Sequence, residues 1–505
     1  MASVDSVPHN TIKERLAAAS HSMDFFIVKA LTVFTSLITL EMALQRQSPR
    51  LGQSLCYFFA QQPLLWTYLS LLGQFSPTVF GAFARDLVKE ISAHPSLFAF
   101  TFLALFKGIK IIVHLFSYYF LTRPAQPPIE PTVTSSDVTV IIPTVGNFDH
   151  EFKTCILSIL ANHPAQIIIS TVGKTKHQLA EHICKELDLS IKIVSINKPN
   201  KRHQFLHAVN HVKTKIISTA DDHVFWPPGY LRSSLAPFEN EKVGIVGTAK
   251  KVLRDKSGDY LSSFLNYIAC IYLERHNFEC TSTYNLDGGV FVISGRTNLV
   301  RASIIQDKAF QEAYLNEMWW WGKVGPLGVD DDNFTTRWMA DRGWHTVFHN
   351  DREKRMLTTL GTTGGVEKFR GQLIRWARTT WRSNSTSLFC DRTCWTAHPW
   401  TTYAAFITSF VNLALPYDAA LFGTLYAATG TRYLWALAVV LFLTKLYKPL
   451  QHLREHPTDI GYFFGGILFG YLHSLVRIWA LITCRSIEWS GRKNIDKAGE
   501  EEEVV

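Results

Sequence analysis

Apolar residues fall into two regimes along this chain: long unbroken runs near both ends, and short runs alternating with polar segments in the middle. The runs "DFFIVKALTVFTSLITLEMA" (24–43) and "SLFAFTFLALFKGIKIIVHLFSYYFL" (96–121) each reach the ~20 residues that cross a bilayer's hydrocarbon layer. Between them, residues 54–73 are apolar but interrupted by Gln61, Gln62 and Pro63, a pattern that suits either a span or a re-entrant segment. Three more runs follow at 401–428, 433–447 and 460–483. So many runs are hard to bury in a soluble protein, and the pattern predicts membrane segments within 1–121 and 396–484. Lys29 and the distance of the first run from Met1 argue against a cleaved signal peptide.

The middle reads differently. A proline-rich linker, 122–137, resists helix and ladder pairing alike, so a domain is expected over 138–395, with a tail after 484. "VTVIIPTVGN" reads as a buried strand and turn, "FKTCILSILANH" as a helix, "AQIIIST" as a strand, "KHQLAEHICKEL" as a helix and "IKIVSIN" as a strand. "KRHQFLHAVNHV" reads as a basic amphipathic helix and "TKIISTA" as the next strand. This rhythm predicts an α/β domain with a parallel sheet, whose ligand crevice lies outside the carboxyl ends of the strands. Asp221 and Asp222 follow the last of these strands directly.

Composition adjusts this picture only slightly. The net charge of +9 is scattered, and no nucleic-acid module is visible, so no nucleic-acid partner is expected. Lys445, Lys448 and Arg454 in one connection place that loop in the cytoplasm by the positive-inside rule, and the middle domain with it. Cys390 and Cys394 lack the partners of a zinc site, so the cysteines read as reduced structural thiols.

Three clusters carry candidate chemistry. Asp221 and Asp222, with His223 behind them, are either turn formers or carboxylates for a hard cation such as Mg²⁺ or Mn²⁺, which takes one or two protein carboxylates plus substrate phosphates. Asp330, Asp331 and Asp332 precede an expected helix. One acid suffices for an N-cap, whereas three in a row repel and raise the pKa of at least one, which suits a base. The stretch "EKFRGQLIRWARTTWRSN" places Gln372, Arg375 and Trp376 within about one turn, with Arg382 further on. It suits a helix on the membrane surface, and also a site where Arg forks onto phosphate and Trp stacks on a sugar.

Taken in order, "IIPTVGN", "KPNKRHQFLHAVN", "ADDHVFWP", "VISGRT", "DDDNFTTRW" and "QLIRW" resemble the motifs of membrane-embedded family 2 glycosyltransferases, the group of hyaluronan, cellulose and chitin synthases and of fungal capsular-polysaccharide-synthase-like enzymes. The resemblance implies a GT-A-like cytoplasmic domain between transmembrane helices, in a multi-pass protein of the plasma membrane surrounded by lipid. It implies a UDP-sugar donor, a polysaccharide acceptor, Mg²⁺ or Mn²⁺, and export of the polymer. By position, Asp222, five residues before Pro227, matches the metal-binding Asp of Asp-x-Asp, with Asp221 beside it and Ala220 in place of the first Asp. Asp332 matches the catalytic base, with Asp331 next to it. Lys201, Arg202, Asp221, Gln372, Arg375 and Trp376 match the donor and diphosphate site, and Ser294, Gly295, Arg296 and Trp376 match the acceptor side. After the second strand, Ser170 and Thr171 stand where the family often carries an Asp. A non-processive enzyme making a glycolipid such as glucosylceramide would share most of these motifs; a non-catalytic membrane transporter or scaffold is the more distant reading.

Overall fold

The computed structural model describes residues 91–487 except 198, 257 and 362–364. The apolar runs at 24–43 and 54–73 and the chain after 487 lie outside the described residues. The chain divides into two units, Met1–Phe102 and Leu103–Val505, and all interactions described below lie within the second.

The middle domain is built on a seven-stranded sheet. Its strands are β1 (Val138–Pro143), β2 (Gln166–Val172), β3 (Lys192–Ile196), β4 (Ile216–Ala220), β6 (Val243–Thr248), β8 (Thr297–Arg301) and β9 (His345–His349), in the order β3-β2-β1-β4-β8-β6-β9. A smaller sheet has the order β5-β10-β7, from Val224–Phe225, Met356–Thr358 and Lys250–Val252. Every residue of β1 and β4 is buried. Side chains alternate between faces along a strand, so two cores form. Val140, Ile142, Ile169 and Ile216 pack with Phe152 and Ile156 of helix α2 (His150–Leu160) on one face. Ile141, Ile168 and Ile217 pack with Phe205, Leu206 and Val209 of α4 (Lys201–Val209) on the other, with α3 (Gly173–Leu187) lying between α2 and α4 in the chain. These strands read as apolar runs because both of their faces are covered.

The sheet is mixed, where the repeating pattern predicts a parallel one. Strands β3, β2, β1 and β4 are parallel, but β8 runs antiparallel to both β4 and β6. The backbone N–H of Asp221 donates to the Arg296 carbonyl at 2.8 Å, so β8 starts where β4 ends. This reversal delivers the loop Val292–Thr297 to the carboxyl ends of the strands. Helix α4 also differs from expectation. Its basic start is internal, with Lys201, Arg202 and Gln204 buried, and the Asn200 side chain caps it by accepting from the N–H groups of Arg202 and His203 at 3.0 and 3.2 Å.

Gly247 in β6 is a packing requirement. A Cβ there would lie 2.5 Å from Ile293 Cδ1. Gly247→Ala is expected to destabilise the domain by about 1–3 kcal/mol through overpacking, read as a lowered thermal midpoint. An unchanged midpoint would mean that Ile293 moves aside without cost.

Two helical stretches among the described residues are long and apolar enough to cross a membrane, Pro95–Leu121 and Pro457–Ile482. The first begins with α1 (Pro95–Phe116). The run expected as one span over 401–428 is instead a broken pair, Pro399–Val411 and α9 (Ala414–Thr429), bent by 85°. Pro416 explains the break: in a continuous helix it would remove a backbone hydrogen bond and clash one turn back, whereas in the first turn of a new helix its missing N–H costs nothing. Helix α10 (Leu434–Leu446) is apolar but shorter than a typical span.

The lysines counted as loop charges, Lys445 and Lys448, are half-buried and paired with acids. Lys445 and Lys107 pair with Asp418 at 2.8 and 2.5 Å, and Lys448 and Lys110 pair with Glu279 at 3.0 and 2.9 Å. Glu279 lies on the 28-residue helix α5 (Tyr260–Asp287), which runs beneath the site. Helix α11 (Phe463–Ile482) approaches α5 through Gly465 and Gly466, where a Cβ would meet Phe264 at 2.7 Å and Tyr267 at 3.2 Å. The described cysteines are all free thiols.

Candidate active site

The carboxyl ends of β1 and β4 bring Thr144, Asp221 and Asp222 together. The Thr144 hydroxyl donates to Asp222 Oδ2, and Asp222 Oδ1 meets His223 Nδ1 at 2.9 Å. Asp221 turns towards α4, where Lys201 Nζ lies 3.3 Å from its Oδ1. The adjacent acids therefore have different partners. Burial works to raise both carboxyls, but the cation Lys201 beside Asp221 and the hydrogen bond from His223 to Asp222 outweigh it, and both lie below the ordinary value. Gly146 closes over Asp222, since a Cβ there would lie 2.9 Å from Oδ2. The space that this missing side chain leaves beside a carboxylate oxygen suits a hard divalent cation, which needs few protein ligands when phosphates supply the rest. Among the described residues no group of three ligating side chains exists, so substrate or solvent oxygens would have to complete the shell.

Helix α7 (Asp331–Asp341) supplies the second set of acids, and its three aspartates separate. Asp331 reaches Lys201 Nζ at 3.5 Å, so one ammonium lies between Asp331 and Asp221. Asp332 Oδ2 accepts the Gly295 N–H at 3.0 Å and Oδ1 accepts the Asn333 N–H at 2.9 Å. Burial and the neighbouring Asp331 push the Asp332 carboxyl above its ordinary value, against the pull of Lys201. Asp330 faces away. Its backbone is left-handed at φ 65°, and its carboxylate is gripped by Arg382 at 2.6 and 3.0 Å on α8 (Gly365–Ser385).

Around these acids, the loop from β8 places Ser294, Gly295 and Arg296, with the Arg296 guanidinium 5.3 Å from the centre of the Trp376 ring. Trp376, on α8, stacks on Tyr272 of α5 with centroids 5.4 Å apart. Gln372 and Arg375 lie half-buried on the same helix, and Arg375 is close enough to oppose the charge of Arg296. The site is thus a ring of acids and cations closed on one side by aromatic faces. A cavity of about 660 Å³ lined by Asn240, Tyr284, His349 and His398 lies against β9 and shares none of these acids.

Arg202 stands apart from its neighbour Lys201. It is 1% exposed, pairs with Glu317 at 2.5 Å, and donates to the carbonyls of Tyr314 and Val329, both at 2.6 Å. Its guanidinium is occupied in holding the segment before α7, which places it among internal supports rather than at the donor position that the motif suggests. Arg382 is likewise internal, committed to Asp330. Three contributors were not among the expected site residues: Thr144, Tyr272, and Lys176, whose Nζ donates to the carbonyls of Val145 and Gly146 at 2.7 and 2.9 Å. Only Thr144 lay inside a recognised motif. The other two are placed by helices that no local pattern ties to the site.

Comparison with known proteins identifies relatives of this chain. Residues 136–379 match the family model described as glycosyltransferase like family 2. A type 2 glycosyltransferase of Pyricularia oryzae is 37% identical over 426 residues, covering 82% of this chain and 86% of that protein. The type 2 glycosyltransferase of Gibberella zeae is 35% identical over 83% of this chain and 81% of its own length, and a hyaluronan synthase of Streptococcus pyogenes is 21% identical over 71% and 84%. Among solved structures, a mannosyltransferase from Pyrobaculum calidifontis in complex with GDP-Man and Mn²⁺ aligns with a TM-score of 0.47 and 17% identity, over 74% of this chain and 98% of that one. Identity of this extent with the fungal enzymes, across a GT-A-like mixed α/β domain, places the chain in the family 2-like glycosyltransferases.

Proposed function

We propose that the chain transfers a sugar from a UDP-sugar to a growing polysaccharide, with inversion at the anomeric carbon, and passes the product across the plasma membrane between its apolar helices. The observation that carries this reading is the meeting of Asp332, Lys201 and Asp221 at the carboxyl ends of the strands. Asp332, raised above an ordinary carboxyl, takes the proton from the acceptor hydroxyl as that oxygen attacks the anomeric carbon from the face opposite the diphosphate. Asp331 and Asp221 hold Lys201 in place, and its ammonium faces the phosphates. Gln372 and Arg375 add donors to the departing diphosphate, the charge that most needs stabilisation. Ser294, Gly295 and Arg296 frame the acceptor, and Trp376 shapes its end of the site. A Mg²⁺ or Mn²⁺ ion held by Asp222, with Asp221 beside it, would supply further charge neutralisation to the leaving group.

Two measurements test this. Full-length protein in lipid nanodiscs, incubated with a panel of radiolabelled nucleotide sugars, should convert a UDP-sugar into a polymer that sizing and glycosidase digestion identify. A single sugar on lipid would select the glycolipid reading instead, and no turnover of any donor would end the transferase reading. Separately, Mn²⁺ titrated into the protein with UDP and followed by electron paramagnetic resonance should bind at one site. Asp222→Ala should weaken it by tenfold or more, about 1.4 kcal/mol. If Asp221→Ala has that effect and Asp222→Ala does not, the ligand is Asp221.

A further inference from the structure

The segment 317–328, which leads into α7, is folded as a hairpin. Trp319 and Val324 exchange backbone hydrogen bonds at 2.8 and 3.0 Å, and the Lys323 N–H donates to the Trp320 carbonyl at 3.1 Å, so residues 320–323 form the tip. Trp320 and Trp321 both lie in the left-handed region, at φ 57° and 52°. Turns with positive φ favour asparagine and glycine, and a bulky side chain there crowds its own backbone. The turn itself therefore gives no reason for tryptophan.

Internal packing gives none either. Trp321 is 84% exposed, Trp320 38% and Met318 45%. The rings of Trp320 and Trp321 meet each other edge to face, with centroids 4.7 Å apart, and not a core. The base of the hairpin is fixed by contrast: Glu317 pairs with both Arg202 and Arg337, and the Trp319 indole N–H donates to the Ser385 hydroxyl at 3.4 Å, at the end of α8. A rigid base that holds adjoining apolar side chains in the open marks a surface made for contact.

The neighbouring helix indicates what that contact is. Phe464, Leu468, Leu472, Leu475, Trp479 and Ile482 recur every three or four residues on α11, each exposed over half its surface or more, and so form one apolar stripe. The other face of α11 is occupied, since Phe469 and Val476 pack with Phe369 and Leu373, and Ala480 packs with Ala377 and Trp381. Lipid is the partner that the stripe fits, on a helix apolar enough to cross a membrane. Three residues beyond Ile482, the Arg485 guanidinium lies over the Trp320 ring at 5.2 Å, so the hairpin tip continues the stripe past the end of the helix. Residues 318–328 contain no carboxylate, and their one charge is Lys323. Tryptophan rings beside Lys and Arg, at the end of an apolar helix, match the headgroup layer of a bilayer, where the indole finds both apolar carbon and hydrogen-bond acceptors and the cations find phosphate.

We propose that the hairpin tip, Trp320 and Trp321 with Lys323 and Arg485 beside them, inserts into the headgroup layer of the bilayer next to the end of α11. This inference rests on the membrane reading of α11 and not on the transferase chemistry. It gives the catalytic domain a lipid-docking surface of its own, on the segment that leads to Asp331 and Asp332.

The test uses full-length protein in nanodiscs of phosphatidylcholine and phosphatidylserine. Trp321→Cys, in a protein whose exposed Cys390 is replaced by serine, is labelled with the fluorophore nitrobenzoxadiazole, and the same protein without Trp321→Cys supplies the background. The label at 321 should lose most of its fluorescence to lipid carrying a nitroxide near the headgroup end of its acyl chain, and keep most of it in aqueous iodide. A label at Lys185→Cys, on the exposed side of α3, should show the reverse. Quenching at 321 by iodide and not by the lipid nitroxide would overturn the proposal. Shielding from both would assign the tip to a protein contact, with the rest of this chain or with a second copy, and overturn it too. A second reading keeps both indoles: brominated phosphatidylcholine should quench a larger fraction of the intrinsic fluorescence in the wild-type protein than in Trp320→Ser/Trp321→Ser, and equal fractions would count against insertion. Neither measurement needs turnover, so a failure of the transferase reading leaves both outcomes unchanged.

Discussion

Asp332→Asn is expected to lower sugar transfer by about 10²–10⁴-fold, the usual worth of a positioned general base, while the protein still binds UDP-sugar. The substitution keeps the shape and the acceptor oxygen for the Gly295 N–H, so the loop that carries Ser294 to Arg296 stays in place. What is lost is the ability to take a proton. With Asp332 as the proposed base, its raised carboxyl would set the pH behaviour: only the deprotonated form is a base, so transfer should rise with pH through a limb lying above the ~3.9 of an ordinary aspartate. Single-turnover transfer measured beside donor affinity separates these effects. Transfer undiminished in Asp332→Asn would remove this residue as the base, and lost donor binding would move it to the donor site.

The second large effect concerns stability. Arg382 and Asp330 are 2% and 3% exposed at their side chains, and the Thr379 hydroxyl also donates to Asp330. Arg382→Ala strands a buried carboxylate and is expected to cost about 3–5 kcal/mol, read as a large drop in the thermal midpoint of the protein in detergent. The cost has a functional edge, because Asp330 begins the helix that presents Asp331 and Asp332. Replacing both partners, Arg382→Met with Asp330→Asn, should recover much of the loss, since a buried pair contributes little net stability once neither charge remains. A midpoint unchanged in Arg382→Ala would show that the carboxylate finds water or protonates without penalty.

The basic start of α4 also marks where local reading stops. Lys201 and Arg202 are neighbours in one motif, yet Lys201 turns to Asp221 and Asp331 while Arg202 turns to Glu317. Adjacent positions on a helix point about 100° apart, so a shared motif does not imply a shared site. The aspartates at 330 to 332 divide in the same way, one to Arg382, one to Lys201 and one to the Gly295 N–H. Three acids in a row promised a site, but only the fold decided which acid supports it and which remains to act.

By itself the sequence determined the strands β1 to β4, the helices between them and the placement of Asp221 and Asp222 beyond a strand end, because apolar periodicity and strand termination are local properties. It also determined the apolar helices at 95–121 and 457–482, since length and hydropathy suffice for that. Tertiary structure alone decided the antiparallel course of β8 and the pairing of Lys445 and Lys448 with distant acids. Each of these depends on partners tens to hundreds of residues away, and whether a buried charge is neutralised is a property of its neighbours in space, which no window of sequence contains.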